Sequence, residues 1–407
     1  MAEATQRKRS DYGSAYGRPA PHPDYELAQV GPGTPCGELL RRYWQPVGVS
    51  ADVTDRPQYV RILGEDLIVF RDKRGRPGLL YPRCMHRGTT LFYGKVTEEG
   101  IACCYHGWLF DVEGRCLRQP CEPEGGRNLD VARQPWYPVE ERYGLVFAYL
   151  GPPEKKPVLP RYDILEDPGP DEEVRAYLGA FGATGDSSLA TAPYSWLHMN
   201  DNVMDPFHVH VLHSTFSTVQ FVPEFASMPK VDFFPTENGV CYSAKRTLDN
   251  GREYDRISSW LMPNIMCVPN PIDIEQVRPN MISWSLPVDD SHFTMATASR
   301  VPKSAPSAFG GIRLNGKLWG EMTEREHQDT PGDYEAQAGQ GPISLHSEEH
   351  LASSDRGIIM QRRILKAQIK VVAEGGDPMG VNFDSSKALI KLRSGNFYVG
   401  SDHPKPS

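Results

Sequence analysis

The chain is organised around two short stretches of sequence, Cys84-Met85-His86 and Cys103-Cys104-Tyr105-His106-Gly107-Trp108. Sixteen residues separate His86 from Cys103. Each stretch supplies one Cys and one His at close spacing, so each can form a tight loop that binds one part of a shared metal centre. The spacing therefore predicts a metal site built from two facing loops.

Two kinds of metal site use two Cys and two His. In a Rieske [2Fe-2S] centre, two thiolates bind one iron, two imidazoles bind the other, and single electrons are carried. A structural zinc site uses the same residue types, but usually takes both Cys from one loop and both His from the other. One Cys and one His in each stretch favour the Rieske centre over zinc.

Length and composition exclude several classes of protein. The chain has 407 residues, of which 39% are hydrophobic and 24% charged, enough for two or three domains. A formal net charge of −8 argues against a nucleic-acid partner. No run of eighteen apolar residues and no apolar signal-peptide core are present, so we expect a cytoplasmic protein without a membrane partner.

The sequence predicts an α+β protein with a boundary in the connector Pro152-Pro153-Glu154-Lys155-Lys156-Pro157. Residues 1–39 are expected to form an N-terminal arm, because the first 35 are polar and rich in Pro and Gly. Short strand-like runs bounded by turn residues, including a hairpin turn at Gly64-Glu65, predict an all-β domain over residues 40–152. Residues 153–407 are expected to form the second, catalytic domain.

The second domain is expected to combine helices with an antiparallel sheet. A helix is predicted over residues 193–216, and strand-like runs flank the hairpin signal Asp249-Asn250-Gly251. Residues 302–344 are rich in Gly and Pro and are predicted to be a long loop. A last helix is predicted over residues 354–374.

A second metal site is predicted on the helix that begins near residue 193. Asp205, His208, His210 and His213 lie close together there, and non-haem iron is typically held by two His and one carboxylate. On spacing alone, His210 could replace either neighbouring His. The step of five from His208 to His213 does not stack on an ideal helix, so we expect a local irregularity near Pro206.

These motifs together resemble the Rieske non-haem iron oxygenases. The resemblance covers Cys84, His86, Cys103 and His106 with their flanking residues, and Asn202, Asp205, His208 and His213. It implies a Rieske [2Fe-2S] domain followed by a helix-grip catalytic domain with mononuclear Fe(II). It also implies that Cys103 rather than Cys104 binds the cluster, and that His210 is not an iron ligand.

The third iron ligand must come from elsewhere in the chain. The segment from Glu349 to Arg356 resembles the phthalate dioxygenase-like branch of the family, which implies Asp355 as the carboxylate ligand. A carboxylate at the start of a helix is favoured without any metal, so Glu348, Glu349 and Asp333 remain alternatives.

Asp205 precedes His208 by three residues and can orient its imidazole from the same helical face. The resemblance implies more, namely that Asp205 bridges to His106 of a neighbouring subunit and that the protein is a homotrimer. Asn202 belongs to the same signature and is included in the predicted site. If the protein is a monomer, Asp205 would only orient His208.

The resemblance implies an oxygenase component that uses O2 to oxidise an aromatic acid. A separate NAD(P)H-dependent reductase or ferredoxin would supply electrons, since the chain shows neither a dinucleotide-binding fingerprint nor a four-Cys ferredoxin pattern. Similarity to lignin biaryl (dehydrodivanillate) O-demethylases implies O-demethylation of a methoxylated acid. The alternative is a ring-dihydroxylating, phthalate-type dioxygenase.

Other classes of function also remain open. A Rieske electron carrier would leave the His residues of the second predicted metal site without a role. A structural zinc-bound interaction module would give a colourless purified protein. An aromatic acid would require a cation for its carboxylate. Arg246, Arg252 and Arg256 lie on or near the predicted hairpin, although exposed surface arginines would give the same pattern.

Overall fold

The computed structural model describes residues 18–179, 191–305, 316–317 and 319–398. Residues 1–17 of the predicted arm, and residues 306–315 and 318 of the predicted loop, lie outside this part of the chain. From residue 18 the arm crosses the second domain, because the amide of Ser347 donates to the carbonyl of His22 and Lys366 pairs with Asp24.

Three small antiparallel sheets form the N-terminal part of the protein, with strand orders β1-β11-β10, β2-β3-β4-β9 and β5-β6-β7-β8. Their strands are β1 (Trp44–Val49), β2 (Gln58–Ile62), β3 (Glu65–Arg71), β4 (Pro77–Leu80), β5 (Lys95–Val96), β6 (Ile101–Ala102), β7 (Leu109–Phe110), β8 (Cys116–Arg118), β9 (Trp136–Tyr137), β10 (Val139–Arg142) and β11 (Leu145–Tyr149). The two loops of the first predicted metal site follow β4 and β6.

The first hairpin turn lies one residue earlier than predicted. Ile62 pairs with Glu65, so Leu63 and Gly64 form the turn, and both have positive φ values of 50° and 74°. Two left-handed residues match the twist of a tight hairpin, and Glu65 is then free to begin β3.

The second domain contains an eight-stranded antiparallel sheet. Its order is β13-β19-β18-β17-β16-β15-β14, with β21 also paired to β16. The strands after β11 are β12 (Arg161–Tyr162), β13 (Glu172–Leu178), β14 (Lys230–Thr236), β15 (Gly239–Thr247), β16 (Glu253–Leu261), β17 (Ile265–Cys267), β18 (Met281–Asp289), β19 (His292–Pro302), β20 (Leu389–Ile390) and β21 (Gly395–Tyr398). The predicted Asp249-Asn250-Gly251 turn joins β15 to β16, with Gly251 at a φ of 78°.

Helices cover one face of this sheet. The helices of the protein are α1 (Tyr25–Ala28), α2 (Pro35–Leu40), α3 (Trp196–Val203), α4 (His208–His210), α5 (Glu324–Asp329), α6 (Asp333–Ala338) and α7 (Arg356–Ala373). Of these helices, α3 and α7 contact the strands of this sheet. Leu365 and Ile369 of α7 are buried with Tyr242 and Ala244 of β15 in one cluster. The long helix therefore grips the sheet through its apolar stripe.

Residues 302–344 are not the long loop that was predicted. Within the described part, α5 begins at a capping box between Thr323 and Glu326, and α6 follows Pro331-Gly332. Both helices have only six residues, too short to show a clear apolar period in the sequence. This error matters because α6 carries a residue of the second metal site.

The predicted α+β class is confirmed. No helix in the described ranges has the length and apolarity needed to cross a membrane. One buried cluster extends from Leu67 and Val146 in the N-terminal sheets to Trp260 and Leu365 in the second domain. The boundary at residue 152 remains a proposal.

Candidate metal centres

The two Cys-and-His loops have the same backbone design. The Cys84 amide donates to the carbonyl of Thr89 five residues later, and the Gly88 amide donates back to the carbonyl of Cys84. In the second loop, Cys103 and Trp108, and Gly107 and Cys103, make the matching bonds. Both glycines have positive φ, 79° and 71°, which explains a glycine at each fourth position.

This repeated design places one Cys at the same point of each loop. Cys84 and Cys103 are buried, whereas Cys104 is exposed. Burial, and then the neighbouring Cys103, raise the pKa of the Cys84 thiol to about 12. A metal would have to displace the protons of these thiols on binding.

The two imidazoles also lie together. The rings of His86 and His106 have centroids 4.6 Å apart, and Trp108 stacks on His86 at 4.5 Å. Burial, then the neighbouring His106 and Arg87, lower the pKa of His86, which favours the neutral form that binds metals. Paired thiols beside paired imidazoles are the donor set of a Rieske cluster.

The second site depends on an irregular helix. After α3 ends at Val203, the chain turns at Pro206 and forms α4 over His208–His210. A π-helical turn follows over Val211–Thr215, with the Phe216 amide donating to the carbonyl of Val211. A π turn has more residues per turn than an α-helix, so a step of five returns to the same face. This is the irregularity that the five-residue step predicts.

The π turn brings His208 and His213 together with a centroid distance of 5.3 Å. The carboxylate beside them belongs to Asp333 at the start of α6. Its Oδ1 lies 3.1 Å from Nε2 of His213 and 3.7 Å from Nε2 of His208. These three residues can direct one ligand atom each at a single ion, and they are the one group of this kind that was found in the described part of the chain.

Asp333 and His213 each stabilise the charged form of the other. Burial would raise the pKa of Asp333, but His213, His208 and the Asn202 amide together lower it well below its usual range. Burial works against the charged form of His213, yet Asp333 and Gln220 give it a raised pKa overall. For His208, burial is the larger effect and its pKa is lowered despite Asp333 and Asp205.

Asp355 does not join this group. It ends a short 3-10 helix before α7, and its carboxylate accepts a hydrogen bond from the amide of Ala352 at 2.6 Å. Asp355 is thus a capping residue, the role that its position at a helix start allows without any metal. Glu349, another alternative, pairs with Arg362. The carboxylate at the two His is Asp333, so Asp355 was the wrong choice.

Asp205 and Asn202 surround the group. Oδ1 of Asp205 accepts from the amides of Phe207 and His208, which fixes the turn at Pro206. Its Oδ2 lies 3.7 Å from Nδ1 of His208, a position suited to orienting the imidazole. Nδ2 of Asn202 donates to Oδ1 of Asp333 at 3.0 Å.

Gln220 is a site residue that no sequence signal identified. Its Oε1 lies 2.8 Å from Nδ1 of His213, so that nitrogen donates to Gln220, while Nε2 faces Asp333. Its amide nitrogen donates to the carbonyls of Leu212 and Pro331. Gln220 therefore connects the π turn to the segment that leads into Asp333.

His210, the third His of the segment, points elsewhere, since its Nδ1 lies 3.4 Å from the carbonyl oxygen of Phe225. His198 is a buried residue with Nδ1 3.0 Å from the carbonyl oxygen of Ser195.

Comparison with known proteins shows the family. Residues 43–138 match the model of the Rieske [2Fe-2S] domain. The chain is 58% identical to the phenoxybenzoate dioxygenase alpha subunit of Ectopseudomonas oleovorans, over 96% of this chain and 95% of that protein. The chain belongs to the Rieske oxygenases, as an oxygenase alpha subunit.

Two further proteins are less similar to this chain. The 5,5'-dehydrodivanillate O-demethylase oxygenase subunit of Sphingobium sp. (strain NBRC 103272 / SYK-6) is 32% identical over 88% of this chain and 82% of that protein. The crystal structure of dicamba monooxygenase bound to 3,6-dichlorosalicylic acid has a TM-score of 0.58 at 17% identity, covering 82% of this chain and 98% of that one. That likeness shows the shared fold.

As a Rieske oxygenase, the chain carries a Rieske [2Fe-2S] cluster and a mononuclear iron. It is an oxidoreductase that oxygenates aromatic compounds with O2 and electrons from a separate reductase or ferredoxin. Both donor sets described above fit these groups.

Proposed function

We propose that this Rieske oxygenase dioxygenates a two-ring aromatic acid of the phenoxybenzoate type. The observation that carries the proposal is the 58% identity with the phenoxybenzoate dioxygenase alpha subunit along almost the whole of both chains. The expected O-demethylation of a lignin-derived acid has weaker support, from the relative at 32% identity. We therefore rank ring dioxygenation first and O-demethylation second.

Cys84, Cys103, His86 and His106 would hold the cluster, which supplies single electrons when bound. His208, His213 and Asp333 would hold the iron on one side and leave the opposite positions for O2 and substrate. Asn202 and Gln220 would keep two of these ligands in place through their hydrogen bonds.

Asp205 would connect the two centres across a subunit interface, facing His106 of a neighbouring chain in a homotrimer. Its carboxylate is part-exposed, and its Oδ2 is the oxygen nearer to the His208 imidazole. His106 is also part-exposed, so both groups can reach a partner. A closed ring gives every cluster one neighbouring iron.

Turnover of the holoenzyme with its reductase tests the function. 3-Phenoxybenzoate, phthalate and a methoxylated biaryl acid would be compared by oxygen uptake, formaldehyde release and product mass. We expect 3-phenoxybenzoate to gain both atoms of O2 without formaldehyde. Formaldehyde from the biaryl acid as the main activity would instead establish O-demethylation, and failure of every aromatic acid would contradict both.

A further inference from the structure

A buried glutamine contacts the backbone of the first cluster loop, residues 81–89. Gln134 is 0% exposed. Its Nε2 donates to the carbonyls of Tyr81 and Arg83 at 2.8 Å and 2.9 Å, and its Oε1 accepts from the amide of Met85 at 2.9 Å. All three partners are backbone groups, so these hydrogen bonds fix the path of the chain through the loop.

The partners of Gln134 alternate along the chain on both sides of Cys84. Tyr81, Arg83 and Met85 are exposed, whereas Cys84 is buried. In an extended segment, every second residue presents its backbone groups to the same side, where a neighbouring strand would normally bind them. Gln134 takes the place of that strand, and the side chain of Cys84 is left on the inner side of the loop.

Only a glutamine matches these partners. The two carbonyl oxygens need donors and the Met85 amide needs an acceptor, which a side-chain amide supplies together. Asparagine has the same amide group but is one methylene shorter. Loss of the amide would leave buried backbone groups without partners, which is unfavourable.

The backbone of Gln134 is connected to the second cluster loop, residues 103–108. Its amide donates to the carbonyl of Gly114 at 2.8 Å, in the turn between β7 and β8. Strand β7 begins at Leu109, directly after this loop. A side-chain carbon on Gly114 would lie 1.9 Å from the carbonyl oxygen of Gln134, so this close contact requires glycine. Gln134 therefore links the two loops that carry the cluster ligands.

The first cluster loop directs two backbone amides at the sulfur of Cys84. Burial raises the pKa of the Cys84 thiol, and hydrogen bonds from the amides of His86 and Arg87 act in the opposite direction. Both amides follow directly after Met85, whose own amide donates to Gln134. The position of these two sulfur donors therefore depends on the residue that Gln134 holds.

Hydrogen bonds to the sulfurs are among the factors that set the reduction potential of an iron–sulfur cluster. Reduction adds negative charge to the cluster, and N–H donors stabilise that charge. A loop with poorly directed amides would therefore give a lower reduction potential than a loop that is held in place.

We propose that Gln134 is a positioning residue of the Rieske centre, which holds the first cluster loop so that the amides of His86 and Arg87 donate to the Cys84 sulfur and raise the reduction potential. Gln134 acts through the loop and not by contact with a reacting atom. The inference goes beyond the proposed function, because the potential of the cluster is measured without substrate and does not depend on which acid is oxidised.

The test is the reduction potential of the holoenzyme, measured by redox titration with the electron paramagnetic signal of the reduced cluster. Gln134→Met keeps nearly the same length and removes both donors and acceptor. We expect its reduction equilibrium to shift about tenfold toward the oxidised cluster, the size of one weakened hydrogen bond to a charged group. For one electron this is a potential about 59 mV lower. A wild-type potential in Gln134→Met would overturn the proposal.

Gln134→Glu is the conservative variant. Burial beside two carbonyl oxygens favours the protonated carboxyl group, which can accept from the Met85 amide and donate to one carbonyl. At pH 6 we expect a potential between those of wild type and Gln134→Met. A potential no higher than that of Gln134→Met would count against positioning by these hydrogen bonds.

Gln45→Met is the matched control. Gln45 on β1 is also 0% exposed, and its side chain bonds the carbonyl of Leu40 and Nδ2 of Asn264, outside both cluster loops. It should leave the potential unchanged, and an equal decrease in this variant would refute a specific role of Gln134. Circular dichroism would show whether each variant folds. If Gln134→Met folds but binds no cluster, the potential of Gln134→Glu decides between the two outcomes.

Discussion

The positions of Asp333 and Asp355 in the fold determine which of the two can serve as the third iron ligand. Both lie at the start of a helix, and both are acidic, but only Asp333 lies beside His208 and His213. Spacing in the sequence cannot distinguish them, because strands β14 to β19 separate the third ligand from the two His along the chain. The cluster ligands could be predicted from their spacing, since a short loop holds each Cys-and-His pair.

Replacing Asp333 by Ala should remove the mononuclear iron and leave the cluster. We expect about two irons per chain instead of about three, with the electron paramagnetic signal of the reduced cluster unchanged. Asp355→Ala is the control and should keep all of the iron, at a cost of about 1 kcal/mol for the lost cap. The reverse pattern of iron loss would return the ligand role to Asp355.

His198 gives the protein a pH dependence of stability. Burial lowers its pKa to about 4, below the value of about 6.5 expected in the unfolded chain. As pH falls below 6.5, the unfolded chain binds a proton that the folded chain does not bind until about pH 4. Stability is therefore lost over that window, by about 2 kcal/mol at pH 5.

His198→Gln should reduce this loss, because glutamine does not titrate. Urea unfolding at pH 7 and pH 5 would measure the two free energies of unfolding for wild type and variant. An identical decrease in both proteins would show that other groups cause the pH dependence.

At the scale of elements, the π turn over Val211–Thr215 depends on contacts outside itself. A five-residue step and Pro206 were enough to predict an irregular helix, but not the residue that holds it. Gln220 contacts His213, Leu212 and Pro331 at once, and these are brought together only by the folded chain. The same limit applies to α6, whose six residues carry too weak a pattern to be recognised.

Gln220→Ala should weaken iron binding by about 10- to 100-fold, as expected when a ligand loses the group that orients it. The measurement is the iron remaining on the protein after dialysis against graded chelator concentrations. Gln328→Ala is a suitable control because Gln328 is an exposed residue of the nearby α5. Retention of iron at wild-type strength by Gln220→Ala would mean that the π turn holds its shape without this contact.

At the scale of the whole molecule, the proposed path between subunits can be tested by mixing variants. Asp205→Ala should have an intact cluster and no turnover, and His106→Ala should have no cluster but an intact iron site. Co-expressed with different tags, the two chains should form mixed oligomers with restored activity. Each such oligomer contains a cluster next to a neighbour with Asp205 and iron.

Inactive mixed oligomers of both variants would place electron transfer within one chain. Sedimentation analysis gives the accompanying size, for which we expect three chains. The homotrimer is a prediction that follows from the family resemblance.

The buried cluster that joins the two domains has a consequence for protein engineering. Leu67 and Val146 share their packing with Trp260 and Leu365, and the amides of Leu63 and Gly64 donate to carbonyls of β18. Cutting the chain near residue 152 would expose this apolar surface to water. The N-terminal part with the cluster ligands therefore cannot be exchanged alone. Chimeras between relatives should exchange the residues on both sides of this shared core together.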